Sequence, residues 1–559
     1  MPSPRFDVNQ AMDEAVALHR AGKVREAEKI YGRIVKAAPD YFDALHIYGT
    51  LKAQGGQMGE ALRLITAALK INPRSAEALV NLSNVMHALK RDQEALDCLD
   101  KALSIKPGDP LALANRGSAL LSLGRPADAL ETFDALLRLD PRNGEALMNR
   151  GIAKANLSRQ DEALSDFDAA LSLMPGHPSA MYNRGNALLA LNRPVEALAD
   201  FDRALNAMPE HPRVWHNRGR ALQQLNRYAE AVQCFDRTLA LNKGDADAQN
   251  NRALCLLTLG DLREGFKAYE ARWKRSAMAD TRRGYNKPLW LGEFPLGHKT
   301  ILLTAEQGLG DTIQFARYAP LLARAGAKVV LEVQPELKSL LSGIEGVTAC
   351  VARGEPLPGY DVHTPLGSLP LALKTDASTV PADLPYLHAD PARIEQWQSK
   401  LGALPGKRVA VAWAGQAKHA NDANRSLDLK VLEPLLTLEG ISFVSIQREL
   451  RDGDAALLAS RAHVTPIGGD LNDMADTAAV LSLCDLLISV DTSIVHLAGA
   501  MARPAWVMLP FAPDWRWGLT GDHSAWYPQV RLFRQPSLGD WPSAMTQVRT
   551  ALADFAAQA

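Results

Sequence analysis

The chain has 559 residues, too many for a single core, and 47% of them are apolar, enough to fill two or three domains. Lysine and arginine number 62 against 63 aspartate and glutamate, so no overall field draws the protein to nucleic acid or to an anionic membrane surface. The N-terminal stretch has no basic segment followed by an apolar run, no uninterrupted apolar stretch reaches about 18 residues, and Cys98, Cys234, Cys255, Cys350 and Cys484 are widely spaced without a C-x-x-C pair. The expectation is a cytoplasmic protein with no membrane span, disulfide framework or zinc site.

The first half repeats itself every 34 residues. Pro39, Pro73, Pro107, Pro141, Pro175 and Pro209 stand one period apart, and the next slot holds Lys243. The same period carries Gly117, Gly151, Gly185 and Gly219, alanines from Ala61 to Ala231, and Phe133, Phe167, Phe201 and Phe235. Each unit reads as a helical hairpin whose small residues let two helices approach, whose aromatic wedges between neighbours, and whose proline ends the second helix for want of an N–H donor. The pattern resembles the tetratricopeptide repeat (TPR) family, which implies an all-α superhelical array over residues 8–275, with seven full repeats and a partial eighth.

Asn81, Asn115, Asn149, Asn183, Asn217 and Asn251 recur at one position of the first helix. An amide can pair with both the N–H and the C=O of an extended peptide, and the register resembles the asparagine ladder of O-linked N-acetylglucosamine transferases, which implies a groove for a protein or peptide partner. The alternative is that these amides bridge adjacent helices. The neighbouring Arg116, Arg150, Arg184, Arg218 and Arg252 read as structural, pairing with acids such as Asp134 or Asp168.

Periodicity stops after Trp273, and residues 276–298, rich in Gly and Pro and including Arg282 and Arg283, read as a linker. Short apolar runs at 300–305, 328–333, 408–413, 442–446, 485–490 and 505–509 then alternate with helical patterns, which predicts parallel sheets. Prolines at 381, 385, 391 and 405 divide this α/β region into two Rossmann-like lobes, 299–388 and 389–559, the arrangement called GT-B, with ligands expected between them.

In the first lobe, the run at 300–305 leads through Glu306, Gln307, Gly308, Leu309, Gly310 and Asp311 into a helix. Such a turn brings backbone N–H groups close to an anion. A dinucleotide fingerprint fails because Ile313 occupies the place of the third glycine. Asp311 is either a helix cap or a base facing the cleft. Gly308 to Asp311, with Pro320, resemble the amino-terminal motif of family 9 heptosyltransferases, which implies that Asp311 is the catalytic base on the acceptor side and that Gly308 and Gly310 line the donor.

In the second lobe, Asp491, Thr492, Ser493 and His496 follow a strand and open a helix. They resemble that family's D-T-x-x-x-H-L-x-A donor motif, Ser493 standing where glycine is usual. Trp413 to Gly415 precede His419, Asn421, Asp422, Arg425 and Ser426, and Arg425 matches the family's phosphate-neutralising cation. Gln447 falls at a strand end where such proteins contact the nucleotide. Residues 513–517, with Trp515 and Trp517, either close over a donor or pack.

Together these features imply an inverting, metal-independent glycosyltransferase that needs no cofactor beyond its nucleotide-sugar co-substrate and modifies a protein recruited by the repeats. The whole chain resembles bacterial TPR-linked protein glycosyltransferases, for which flagellin is an acceptor. Two rival readings are a non-catalytic adaptor with a degenerate α/β domain and a heptosyltransferase-like enzyme acting on a lipopolysaccharide core.

Overall fold

A computed structural model describes residues 6–276, 278, 284–418 and 421–558. Arg282 and Arg283 of the expected linker, and His419, lie outside the described residues. The chain divides into two compact units, Met1–Glu210 and His211–Ala559.

Among the described residues the first unit holds six helical hairpins, each pairing a 13-residue helix with a 14-residue one. Pro110–Ser122 and Pro126–Leu139 show why the sequence folds this way. Proline opens both helices, where its missing N–H costs nothing, and the Asp109 carboxylate caps the first by accepting from the N–H groups of Leu111 and Ala112. The second helix stops at Leu139, two residues before the periodic Pro141.

Inside the hairpins glycine and phenylalanine are complementary. A Cβ on Gly151 would lie 2.6 Å from the Phe167 ring, and one on Gly185 2.7 Å from Phe201. Each phenyl fills the space left by the glycine of its own hairpin, where the sequence had suggested a wedge between neighbours. Burying such a ring contributes about 2–3 kcal/mol. In the second hairpin Ile65 covers Gly49 in the same way, so no aromatic is needed there.

Arginine joins one hairpin to the next. Arg184 donates two bonds to Asp200 of its own hairpin, at 2.7 and 2.6 Å, and a third at 2.8 Å to Asp168 of the preceding one. Arg150 treats Asp166 and Asp134 likewise. The offset is sixteen residues in both directions, so the arginine column is structural.

The second unit begins with two more hairpins, Pro212–Gln224 with Tyr228–Leu241 and Ala246–Thr258 with Leu262–Tyr269, followed by a 3₁₀ turn Glu270–Lys274. A domain boundary at 276 therefore cuts through a compact body. The Tyr228 hydroxyl reaches the Pro513 carbonyl, Phe266 packs edge-on against Phe315 and Trp515, and Arg272 is buried against Glu306.

Ten strands follow. β1 (Thr300–Thr304), β2 (Lys328–Val333), β3 (Val347–Ala352) and β4 (Val362–Pro365) form a parallel sheet in the order β3-β2-β1-β4. β5 (Lys407–Ala412), β6 (Ile441–Ser445), β7 (Val464–Pro466), β8 (Leu486–Val490), β9 (Ala505–Leu509) and β10 (Val530–Arg534) form a second, in the order β10-β9-β8-β5-β6-β7. The strand order reverses at β1/β4 and at β5/β8, the positions where doubly wound sheets open a crevice. β3, β4, β7 and β10 were not among the strands expected from sequence. β4 and β7 are too short to show a run, while β3 is a half-exposed edge strand and β10 an edge strand whose run is broken by Arg531.

Candidate functional site

At the carboxyl end of β1 the chain turns through Glu306 and Gln307 into the helix Leu309–Ala316, with Gly308 as its cap. At the carboxyl end of β8 it turns through Asp491 and Thr492 into the helix Ser493–Ala500. These turns meet. A Cβ on Gly310 would lie 2.9 Å from Cδ2 of His496 and 3.4 Å from Cα of Ser493, so the missing side chain is what lets the lobes close here. Two helix N-termini, with their unsatisfied N–H groups and partial positive charge, thus face one locus.

Asp311 caps its helix and also reaches the opposite lobe. Its Oδ2 accepts from the Gly308 N–H at 3.0 Å, which ties down the start of the helix, and its Oδ1 accepts from Nη2 of Arg516 in the opposite lobe. Arg516 also bonds Asp514 at 2.8 Å and Gln314, and lies 4.5 Å over the Trp515 ring. Burial opposes its charge, but Asp514 and Asp311 more than offset this and hold the guanidinium firmly protonated.

Arg425 donates from Nη1 to the Asp491 carbonyl at 3.1 Å, and a Cβ on Gly415 would sit 2.5 Å from its Nη2. Burial, reinforced by the Asp514 carboxylate, raises the Asp491 carboxyl above its usual range. The Thr492 hydroxyl lies 3.3 Å from that of Ser489, and Ser493 stands half-buried at the helix start. His496 is 5% exposed, stacked on Trp517 at 5.4 Å, with Nδ1 3.2 Å from the Tyr527 hydroxyl. Burial, and then the charges of Arg516 and Arg317, hold its imidazole well below the ordinary histidine pKa, hence neutral.

The structure therefore brings Gly308, Gly310, Asp311, Asp491, Thr492, Ser493 and His496 to one junction, with Arg425 bonded to the Asp491 backbone. Gln447 has another occupation. Its Oε1 accepts from the N–H groups of Trp413 and Ala414, and its Nε2 donates to the carbonyls of Ala414 and Glu449, so its amide pins the β5 turn and has no group left for a nucleotide. Trp515 packs on Phe266 and Trp526. Sequence reasoning gave no role to Glu306 or Tyr527, and gave Asp514 and Arg516 none beyond that of the 513–517 segment. Among these only the 513–517 segment stood out, through its two tryptophans around an arginine. Among the described residues no group of three or more His, Cys, Asp or Glu side chains is placed to hold a metal ion, and no helix is long and apolar enough to cross a membrane.

Three tetratricopeptide repeat models match the chain, over residues 52–118, over 115–178 and 216–281, and over 176–244. The hairpins are tetratricopeptide repeats. Over 332 residues the chain is 32% identical to protein FlbA of Caulobacter vibrioides, a match that spans 55% of each chain, so this protein covers about half the length of that relative. Among solved structures, a TPR protein of Parabacteroides merdae aligns at 19% identity and a TM-score of 0.38, over 44% of this chain and 98% of that one. YrrB, a TPR protein with an unusual peptide-binding site, aligns at 26% and 0.29, over 33% and 96%.

The TPR asparagines are all half-buried. Asn81 reaches Nε2 of His46 at 2.8 Å, Asn115 donates to Asn84 at 2.8 Å, and Asn251 lies 3.3 Å from Nε2 of His216. Each of these bonds links the first helices of successive TPR hairpins, as the bridging alternative anticipated. Asn149, Asn183 and Asn217 hold the equivalent positions in their own hairpins.

Proposed function

We propose that the protein is a glycosyltransferase of GT-B type, similar to family 9, which moves a sugar from a nucleotide-sugar donor to a protein acceptor recruited by its TPR repeats. The observation that carries this reading is the meeting of the two strand-to-helix turns at Gly310 and His496, flanked by two guanidinium groups and two carboxylates. A diphosphate suits the N–H groups at Thr492 and Ser493 and those of the Gly308–Gly310 turn, with Arg425 as a counter-charge. Asp311 then removes the proton of the acceptor hydroxyl or amide as that group attacks the anomeric carbon. The bonding pair leaves with the diphosphate, and the configuration inverts.

Arg516 has a part in this scheme. It is bonded to Asp311 before any donor arrives, and an incoming diphosphate competes for the same guanidinium. Transfer of Arg516 from the carboxylate to the leaving group frees the base and neutralises developing charge in one movement. The TPR repeats support a protein acceptor, since holding it nearby raises its effective concentration. Flagellin is the acceptor suggested by the resemblance of the whole chain.

Calorimetry of the full chain against a panel of nucleotide sugars tests the proposal. One donor should bind selectively, and Asp311→Asn should retain that binding while losing transfer, read by intact mass of a co-expressed acceptor. Binding of an acceptor peptide with silence across the donor panel would leave the adaptor reading instead.

A further inference from the structure

The aromatic column of the repeats is put to a different use in the last hairpin. In the fourth to seventh hairpins a phenylalanine in the middle of the second helix fills the space left by a glycine of the first. Phe235 does so at Gly219, where a Cβ would lie 2.8 Å from the ring. One period later, still in register, the same two positions hold Ala253 and Tyr269. The close approach of the helices moves to Gly265, whose Cβ would lie 2.6 Å from Leu257. The second helix now ends at Tyr269 after 8 residues, where its seven predecessors each run for 14.

The hydroxyl that distinguishes Tyr269 from those phenylalanines is bonded outside the repeats. Nε2 of Gln307 donates to it at 2.6 Å, and Gln307 belongs to the turn that leads from β1 into the helix of Asp311. The buried Tyr269 ring lies 4.7 Å from the Arg272 guanidinium, which itself donates to Glu306, the preceding residue of that turn. On the backbone of the turn, Gln334 donates to the Gln307 carbonyl at 2.7 Å and accepts from the Thr312 hydroxyl at 3.0 Å.

The same end of the array grips the segment that carries Arg516. Phe266 meets the Trp515 ring edge-on at 5.5 Å, Asn226 donates to the Phe511 carbonyl, and Tyr228 donates to that of Pro513 at 3.5 Å. Asp311 and Arg516, bonded to each other across 205 residues, thus each stand on a segment tied to the last two hairpins.

We propose that Tyr269 is a positioning residue for Asp311: its hydroxyl, through Gln307, fixes the turn from which that carboxylate meets Arg516. The array of repeats then supplies part of the catalytic centre, in addition to recruiting an acceptor. Calling the centre catalytic rests on the transferase reading, whereas the hold on the turn does not. A small misplacement of a reacting group costs far more in rate than in binding, so this hydroxyl is felt in turnover.

Tyr269→Phe deletes the hydroxyl and keeps the ring. Hydrogen–deuterium exchange of the full chain, read by mass spectrometry on peptides covering residues 306–312, should quicken about fivefold, as for a local opening that has lost one hydrogen bond. Exchange in β5 and β8 should stay as in the parent. Gln307→Leu should reproduce the effect, and the double variant should add nothing to either single one, because both remove the same bond. Unchanged exchange at 306–312, a uniform rise through residues 211–559, or a double variant that exchanges faster than both single ones overturns the proposal.

Turnover is then measured with each nucleotide sugar of the calorimetric panel. With the one that the parent uses, Tyr269→Phe should lower kcat about tenfold and leave KM for that donor unchanged. A raised KM at unchanged kcat overturns the role toward Asp311. A parent that transfers no sugar from the panel overturns the transferase reading, while the exchange data still decide whether Tyr269 holds the turn.

Discussion

Buried charge at single residues makes the sharpest demands in this molecule. Arg272, 1% exposed, donates to Oε1 of Glu306 at 3.0 and 2.8 Å, while Oε2 of that carboxylate has no hydrogen-bond partner among the described residues. Burial outweighs the attraction of Arg272 and pushes the Glu306 carboxyl from 4.5 up to about 7. The folded protein thus holds a proton in that interval which the unfolded chain has released, so this group lowers stability as pH rises from about 4.5 to about 7 and exerts its full penalty above. Glu306→Gln should flatten that part of the profile, and urea denaturation of both proteins at pH values below and above the interval measures it. None of this was legible in sequence, because Arg272 and Glu306 become neighbours only when a repeat helix meets a strand end. Asp311 and His496 were legible because each follows a turn signal, whereas Arg516, the cation Asp311 bonds, lies 205 residues away from it.

Within the hairpins, stability comes from interlocking helix pairs, and the period of 34 announced almost all of it. Gly151→Ala places a methyl group 2.6 Å from the Phe167 ring. Overpacking of this kind costs about 1–3 kcal/mol. Thermal or urea unfolding should show that loss, and Phe167→Leu in the same chain should recover part of it. Arg184→Met leaves Asp200, 1% exposed, without its paired guanidinium. Removing one partner of such a buried pair costs about 3 kcal/mol, and the double variant with Asp200→Leu should be less damaged than the single one, as a denaturant series would show. The sheets were half legible. A central strand such as β9 is a continuous apolar run, but an edge strand owes its pairing to its neighbour and leaves little trace in its own residues.

For the molecule as a whole, the repeat pattern and the compact units disagree about where the array ends. The periodicity runs smoothly past residue 210, because the last two hairpins obey the same rules as the first six. What sets them apart is partners supplied from far along the chain, including Phe511 for Asn226 and Asp376 for Arg263. A fragment of residues 211–559 should therefore unfold in one cooperative transition, whereas residues 276–559 should expose the apolar faces of Phe315 and Trp515, bind a hydrophobic dye and aggregate. Circular dichroism and dye fluorescence of the two fragments separate these outcomes.

The glycine–phenylalanine fit within the fourth to seventh hairpins bears on how such a gene can change. Because the fourth to sixth hairpins find their glycine partner in themselves and their charge partners sixteen residues away, unequal recombination between them adds or deletes whole copies without leaving a mismatched half. The last hairpin, with Phe266 and Arg272 committed to Trp515 and Glu306, has no interchangeable sister. Copy number is thus free to drift on the N-terminal side alone, and descendants of one ancestor should differ there by multiples of a single 34-residue cassette.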